Sequence, residues 1–371
     1  MRNFAHRSSR ILILSLTVLL CAALLAACGG DPSSSSSGSS TSSSSQSYPE
    51  PENPLPVDDS IAKLYADAFA ANPDVVGWLQ IPDSDPNTMY VNFPILQSED
   101  NDYYMTHDAL GNESEGEGST GWYGAVYAHH NNDLSNVDKL MRNTVLFGHN
   151  KAAPANNGQV YKPYNRNIFA SLLYFQDEAY AQDHRYITMT LGNDTTYWLI
   201  FAAVDVANDE ARDSSSDFYY WNTKDQSDED FLNMLEQARE RSYWDYEVEV
   251  KPDDKILTLS TCNYSYDSPT ESTNSSKFIL MARMLRPDEL AQGSDYLTKL
   301  PTFKANDDRH TPEQAGLTHI YSVTEFLVED IRPEGQKKYD FPYEQYKEQD
   351  EYSGAYAPNR GEAPPEAQEK E

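Results

Sequence analysis

The chain has 371 residues, with 59 Asp and Glu against 28 Lys and Arg and a formal net charge of −31. Such an acidic balance excludes nucleic acid as a partner, because phosphate binding needs a basic face. The excess suits solubility or an ionic environment rather than recognition. Cysteines stand only at 21, 28 and 262, so the fold rests on an apolar core and not on disulfides.

Arg2, His6, Arg7 and Arg10 form a basic head before an apolar run at residues 11–20. The run is too short for a comfortable membrane span and has the shape of a signal peptide. It closes on Leu25-Ala26-Ala27-Cys28, which resembles the bacterial lipoprotein processing box. Residues 1–27 are therefore expected to be a lipoprotein-type signal peptide, with acylation of Cys28 giving a membrane anchor. An ordinary cleaved signal or an uncleaved anchor helix is the alternative, and each puts the domain outside the cytoplasm. Residues 28–57 continue as a serine-rich and then proline-rich tether, flexible with a stiffer end.

Asp58-Asp59-Ser60 offers caps for a helix carrying Ile61, Leu64, Tyr65 and Phe69. Val75 to Ile81, Met89 to Phe93 and Tyr123 to Tyr127 read as short strands. Asp108 to Ser119 is acidic and glycine-containing and reads as an exposed insertion. His129 and His130 lie in a polar turn without a Cys or third His nearby, so they read as a surface loop rather than metal ligands. Asn143 to Phe147 is an apolar strand ending in Gly148-His149-Asn150. A polar loop, Lys151 to Asn165, precedes short helices at Asn167 to Phe175 and Asp177 to Gln182. Tyr186 to Leu191 and Tyr197 to Val206 read as strands, and Asn208 to Gln226 as an acidic, serine-rich stretch. Phe231, Leu232, Leu235 and Ala238 recur at helical spacing, which predicts a helix over Asp228 to Arg241.

Strands follow at Tyr246 to Val250, Ile256 to Thr261 and Phe278 to Leu285. Many short strands with few helices point to a closed β-barrel rather than a parallel α/β sheet. Residues 58–287 are read as this domain and 288–371 as an acidic extension. Thr311 to Asp330 is expected to contain a helix, and the chain from about Ser353 to be disordered.

Cys262 is the only cysteine beyond the N-terminal segment, and it ends an apolar, β-branched run. A thiol where a strand enters a loop can point out of a rigid sheet, where a nucleophile is useful. Taken alone, it reads equally well as an inert small hydrophobe, and His149 alone as a turn histidine.

Together, Asn143 to Asn150 ("NTVLFGHN") and Leu257 to Tyr264 ("LTLSTCNY") resemble the histidine and cysteine strands of the sortase family, class B in particular. "DVVGWLQIPD" and "FPILQSEDNDYYM", Asp74 to Asp83 and Phe93 to Met105, resemble the segments preceding the histidine, and the likeness spans roughly Asp58 to Arg286. It implies a mainly β fold, a sortase-like closed eight-stranded barrel with N-terminal and inserted helices. It implies a cysteine transpeptidase needing no cofactor. Cys262 would hold an acyl fragment as a thioester, and His149 would protonate the leaving amine and deprotonate the incoming one. The implied partners are secreted proteins bearing a C-terminal sorting signal, an amine of a peptidoglycan precursor or pilin, and the membrane through the N-terminal anchor. Localisation outside the cytoplasm, anchored to the outer face of the cell membrane of a Gram-positive-type bacterium, follows.

The third family residue is an arginine on the strand after the cysteine, which stabilises the oxyanion. Here Lys277 aligns with it, and Arg283 is the alternative, on the same strand face but six residues, roughly 20 Å, further on. Lysine supplies a point charge without arginine's planar fork. Thr261, Asn263 and Tyr264 are candidate substrate contacts or plain turn residues, Ser260 a barrel position, and Asn150 a candidate to fix the histidine loop. No metal site is read, since EF-hand spacing is missing. Papain-like hydrolases place cysteine before histidine, and the L,D-transpeptidase signature is missing. The rival class is a catalytically weakened, sortase-like surface-binding lipoprotein.

Overall fold

The computed structural model describes residues 48, 50–83, 91–113, 125–150, 152–154, 161–163, 168–212, 218–221, 223–224, 226–263, 265–267 and 276–319. The signal segment, Cys28, the serine-rich tether, Tyr264, residues 268–275 and the extension from 320 lie outside the described residues.

The elements, in chain order, begin with α1 (Ser60–Ala71), β1 (Val75–Ile81), β2 (Val91–Leu96), α2 (Tyr103–Thr106), β3 (Tyr127–Ala128) and β4 (Asn143–Phe147). Two short strands, β5 (Ala152–Pro154) and β6 (Tyr161–Pro163), pair with each other, and a 3-10 run spans Ile168–Gln176. Next come α3 (Glu178–Asp183), β7 (Tyr186–Leu191), β8 (Asp194–Ala207), α4 (Asn208–Arg212), α5 (Asp228–Arg241) and β9 (Trp244–Asp245). The last are β10 (Ile256–Asn263), β11 (Tyr266–Asp267), β12 (Ser276–Met284), α6 (Pro287–Leu290), α7 (Ser294–Thr298), β13 (Lys304–Ala305) and β14 (Thr318–His319).

Val/Ile/Leu-rich runs become strands here because both of their faces are covered. All residues of β1 and β4 are buried, and in β10 only Cys262 is not. Eight strands close a barrel in the order β1-β2-β3-β4-β10-β12-β8-β7, with β7 pairing back onto β1. Neighbours are antiparallel except β2 with β3 and β4 with β10, which are parallel. Closure removes exposed edges, and Trp78, Trp198, Phe201 and Phe278 fill the core. Gly77 marks a register shift between β1 and β2. A Cβ there would meet Leu191 Cδ2 at 2.6 Å and the Thr190 carbonyl oxygen at 2.8 Å, so only glycine fits.

The helix α5 follows its sequence spacing. Ser227 caps it by accepting from the Asp230 N–H at 3.1 Å, and Asp228, Glu229 and Asp230 lie in its first turn. Phe231, Met234, Leu235 and Ala238 are its buried face.

Several expected elements differ. Residues 246–250 are not a strand: Glu247 takes a positive φ of 52°, and the carbonyls of Val248 and Glu249 are taken by Arg239 and Arg283 instead of a neighbouring strand. Residues 311–317 form turns and 318–319 a short strand, so the expected helix is not present up to 319, and 320–330 lie outside the described residues. His129 is buried rather than in a surface loop, its ring stacked on His130 at 4.6 Å. Desolvation, with the charge of His130 second, pushes its pKa down to about 4. Among the described residues no helix is long and apolar enough to cross a membrane, and no metal-holding cluster of His, Cys, Asp or Glu occurs.

Candidate active site

Two adjacent strands, distant in sequence, build the site. β4 and β10 run parallel, with Phe147 opposite Ser260. Continuing that register brings His149 alongside Cys262. Three hydrogen bonds beyond the paired residues hold the two strand ends together. Gly148 N–H donates to the Ser260 carbonyl at 3.1 Å, Thr261 Oγ1 to the Gly148 carbonyl at 2.7 Å, and Asn150 Nδ2 to the Cys262 carbonyl at 2.8 Å. Asn150 thus ties the histidine loop to the cysteine backbone.

On the other side of β10, β12 pairs antiparallel and places Lys277 directly opposite Cys262. Cross-strand partners share a face. Lys277 Nζ donates to Cys262 Sγ at 3.1 Å, and the thiol is part-exposed. Arg283 stands opposite Ile256, at the far end of the same strand pair. Its guanidinium is clamped by Glu289, with Nη1–Oε2 at 2.6 Å and Nη2–Oε1 at 2.5 Å. The cation beside the thiol is therefore Lys277, and Arg283 is bound up in a buried ion pair.

The imidazole of His149 reaches the backbone of α2. Its Nε2 donates to the Met105 carbonyl at 2.6 Å, at the end of α2. This bond places the proton on Nε2. The His149 carbonyl in turn accepts from the Phe169 N–H at 3.1 Å.

Thr261 and Asn263 do not share the thiol's surroundings. Both are buried, and alternation along the strand turns them to the other face. Asn263 Nδ2 donates to Asp205 Oδ1 at 2.6 Å, while its Oδ1 accepts from the Ser265 N–H at 2.9 Å. Asp205 is wholly buried; desolvation raises its pKa against the lowering effect of Arg309, Tyr243, Asn263 and Tyr266. Tyr264 lies outside the described residues.

Two features were not read from the sequence. Tyr220 shares a hydrogen bond with Ser260 Oγ at 2.7 Å, and Trp221 packs edge-on against Phe147 at 5.0 Å. Their signal was the aromatic cluster Phe218-Tyr219-Tyr220-Trp221 within an otherwise polar stretch. Asp205 gave no signal, because its partners come from three distant segments.

No family model matches the chain. Two curated relatives do. Sortase B of Listeria monocytogenes is 29% identical over 211 residues, covering 57% of this chain and 72% of the relative. Sortase B of Staphylococcus aureus is 22% identical over 215 residues, covering 58% and 72%. Over this span the chain is similar to the class B sortases. A solved Listeria monocytogenes sortase B is 25% identical with a TM-score of 0.42, covering 58% of this chain and 98% of that one. The described strands form the closed eight-stranded barrel that the resemblance in sequence implies. Sortases are a family of cysteine transpeptidases, and in this chain a lysine holds the position beside the thiol.

Proposed function

We propose that this chain is a cell-surface sortase that cleaves a sorting signal in secreted proteins through a thioester on Cys262. The acyl fragment then passes to an amine of a cell-wall precursor or a pilin. The observation that carries this reading is the contact of 3.1 Å between Lys277 Nζ and Cys262 Sγ, beside a histidine loop tied to the cysteine carbonyl by Asn150.

Thiolate attack on the scissile carbonyl forms an S–C bond and places negative charge on the carbonyl oxygen. The Lys277 ammonium, already at the sulfur, is in reach of that oxygen. One oxyanion donor is worth about 2.7–4 kcal/mol, and lysine supplies charge without arginine's second prong. Collapse breaks the C–N bond, and His149, an imidazolium once it has taken the thiol's proton, gives a proton to the leaving amine. The same imidazole then takes a proton from the incoming amine, which releases the thiol. Such transfers contribute about 10²–10⁴-fold. For Nε2 to carry that proton, His149 must first leave the Met105 carbonyl. The N-terminal segment, with Cys28 acylated, would hold the domain on the outer face of a Gram-positive-type membrane.

The second reading, a weakened sortase-like surface-binding protein, is favoured by one observation: Nε2 of His149 is engaged by the Met105 carbonyl. Mass spectrometry separates the two. Wild type, Cys262→Ala and Lys277→Arg are each mixed with a panel of sorting-signal peptides. A peptide adduct on Cys262 that an added amine resolves establishes the transpeptidase. No adduct from any peptide in wild type or Lys277→Arg establishes the binding protein.

A further inference from the structure

The extension after the barrel returns to the nucleophile. Phe303 is buried against Trp244 and Tyr246, with ring centroids at 5.5 and 4.6 Å. β13 pairs with β9, the Asn306 N–H donates to the Tyr243 carbonyl at 2.9 Å, and the His310 N–H to the Glu240 carbonyl at 2.7 Å. β14 then pairs with β11, His319 opposite Tyr266, only a few residues past Cys262. The rings of Tyr266 and His319 meet edge-on at 5.1 Å.

Between these two pairings stands Arg309. Its guanidinium lies over the Tyr243 ring at 3.9 Å, is hydrogen-bonded to Tyr266, and is electrostatically coupled to Asp205. Asp205 is the carboxylate that holds Asn263, the residue after the nucleophile, and it also accepts from the hydroxyls of Tyr243 and Tyr266. Asparagine and tyrosine are neutral donors, so among the groups assembled on Asp205 the positive charge is Arg309. A buried carboxylate without a cation protonates or loosens its surroundings. Either change weakens the hold on Asn263 Nδ2 and lets the end of β10 shift.

We propose that residues 303–319 are a brace for the active site, with Arg309 a positioning residue that acts on Cys262 through Asp205 and Asn263. The inference rests on Cys262 being the nucleophile. The barrel supplies the sheet, and the extension supplies the charge that fixes the strand end carrying the thiol.

The test is a double-mutant cycle in the full chain: Arg309→Met, Asp205→Asn and both together, read by kcat and KM on a sorting peptide and by melting temperature. Arg309→Met should lower kcat roughly 10- to 100-fold with KM changed less than about twofold, as displacement of a reacting group does. In the Asp205→Asn background the same substitution should change kcat less than about twofold, because no buried charge is left to balance. Equal losses in the two backgrounds, or wild-type kcat in folded Arg309→Met, would overturn the brace. Should Arg309→Met not fold, the double variant, free of the buried charge, still reports: a kcat below that of Asp205→Asn by tenfold or so overturns it. If wild type turns over no peptide, the transpeptidase reading is what has failed. The brace is then judged by the alkylation rate of Cys262 with iodoacetamide, expected to change at least about threefold in Arg309→Met, and overturned by an unchanged rate.

Discussion

Replacing Arg283 by methionine separates the two basic residues of β12. Arg283 is 1% exposed, and its partner Glu289 is 6% exposed. The guanidinium makes two bonds to Glu289, at 2.6 and 2.5 Å, and further bonds to the carbonyls of Glu249 and Met284 at 2.9 and 3.1 Å. Methionine keeps the apolar stem but leaves Glu289 buried without its cation and the Glu249 carbonyl without its donor. Breaking a buried pair from one side costs about 3–5 kcal/mol, and urea unfolding at neutral pH should show a loss of that size. Burial alone would raise the Glu289 carboxyl, yet hydrogen bonds from Arg283, the Arg286 N–H and Tyr296 outweigh it and hold the group below its ordinary range. In wild type, Glu289 therefore contributes stability above the ordinary glutamate pKa that is lost as pH falls through the lowered value. In Arg283→Met the carboxyl titrates above the ordinary range, so its penalty disappears on acidification. The gap between the two proteins should shrink from pH 7 towards pH 4. Arg283→Met/Glu289→Gln should recover about half of the loss, since no buried charge remains. The alkylation rate of Cys262 should stay at the wild-type value below the unfolding transition. A loss under about 1 kcal/mol, or a folded Arg283→Met whose thiol chemistry has collapsed, would refute the assignment of Arg283 to the ion pair.

Other outcomes follow from single contacts. Gly77→Ala should cost about 1–3 kcal/mol by thermal unfolding, because its Cβ would overlap the Thr190 carbonyl and Leu191. Asn143→Ala removes bonds to the Tyr220 carbonyl at 2.8 Å and from Thr258 Oγ1 at 2.7 Å. Two buried partners are left unpaired, so a loss of about 2–4 kcal/mol is expected in urea, with Trp221 fluorescence shifting first. His129 should titrate by NMR near pH 4, as its pKa is depressed to about 4 by burial. Its depressed value makes the neutral ring part of the fold, so stability should fall as pH drops from about 6.5 towards 4; a His129 titration midpoint near 6.5 would contradict its burial.

The parts of this architecture that are local were legible in the chain. α5, β1, β4, β10 and β12 each carry their pattern within a few consecutive residues, and the many short strands called for a barrel. The spacing of Lys277 and Arg283 on one strand already separated them, and the register of β12 on β10 puts Lys277 at the sulfur. What was not legible depends on partners far apart. Asp205 finds Tyr243, Asn263 and Tyr266 on two other segments, and residues 246–250 lose their strand because the side chains of Arg239 and Arg283 take the Val248 and Glu249 carbonyls. His149 turning to Met105 is likewise a contact 44 residues away, and side-chain direction has no trace in local spacing.

The parallel pairing of β4 with β10 bears on when the thiol becomes competent. Asn150 and Cys262 are 112 residues apart, and parallel strands cannot be joined by a hairpin. Contacts this distant are slow to form, since loop closure must precede any reward from the contact. Strand pairs with short connections, such as β1 with β2 and β7 with β8, can form long before it. β7, β8 and α5 lie in the chain between the two strands that must meet. A chain emerging in an extended state carries the Cys262 thiol without the loop that Asn150 ties to it.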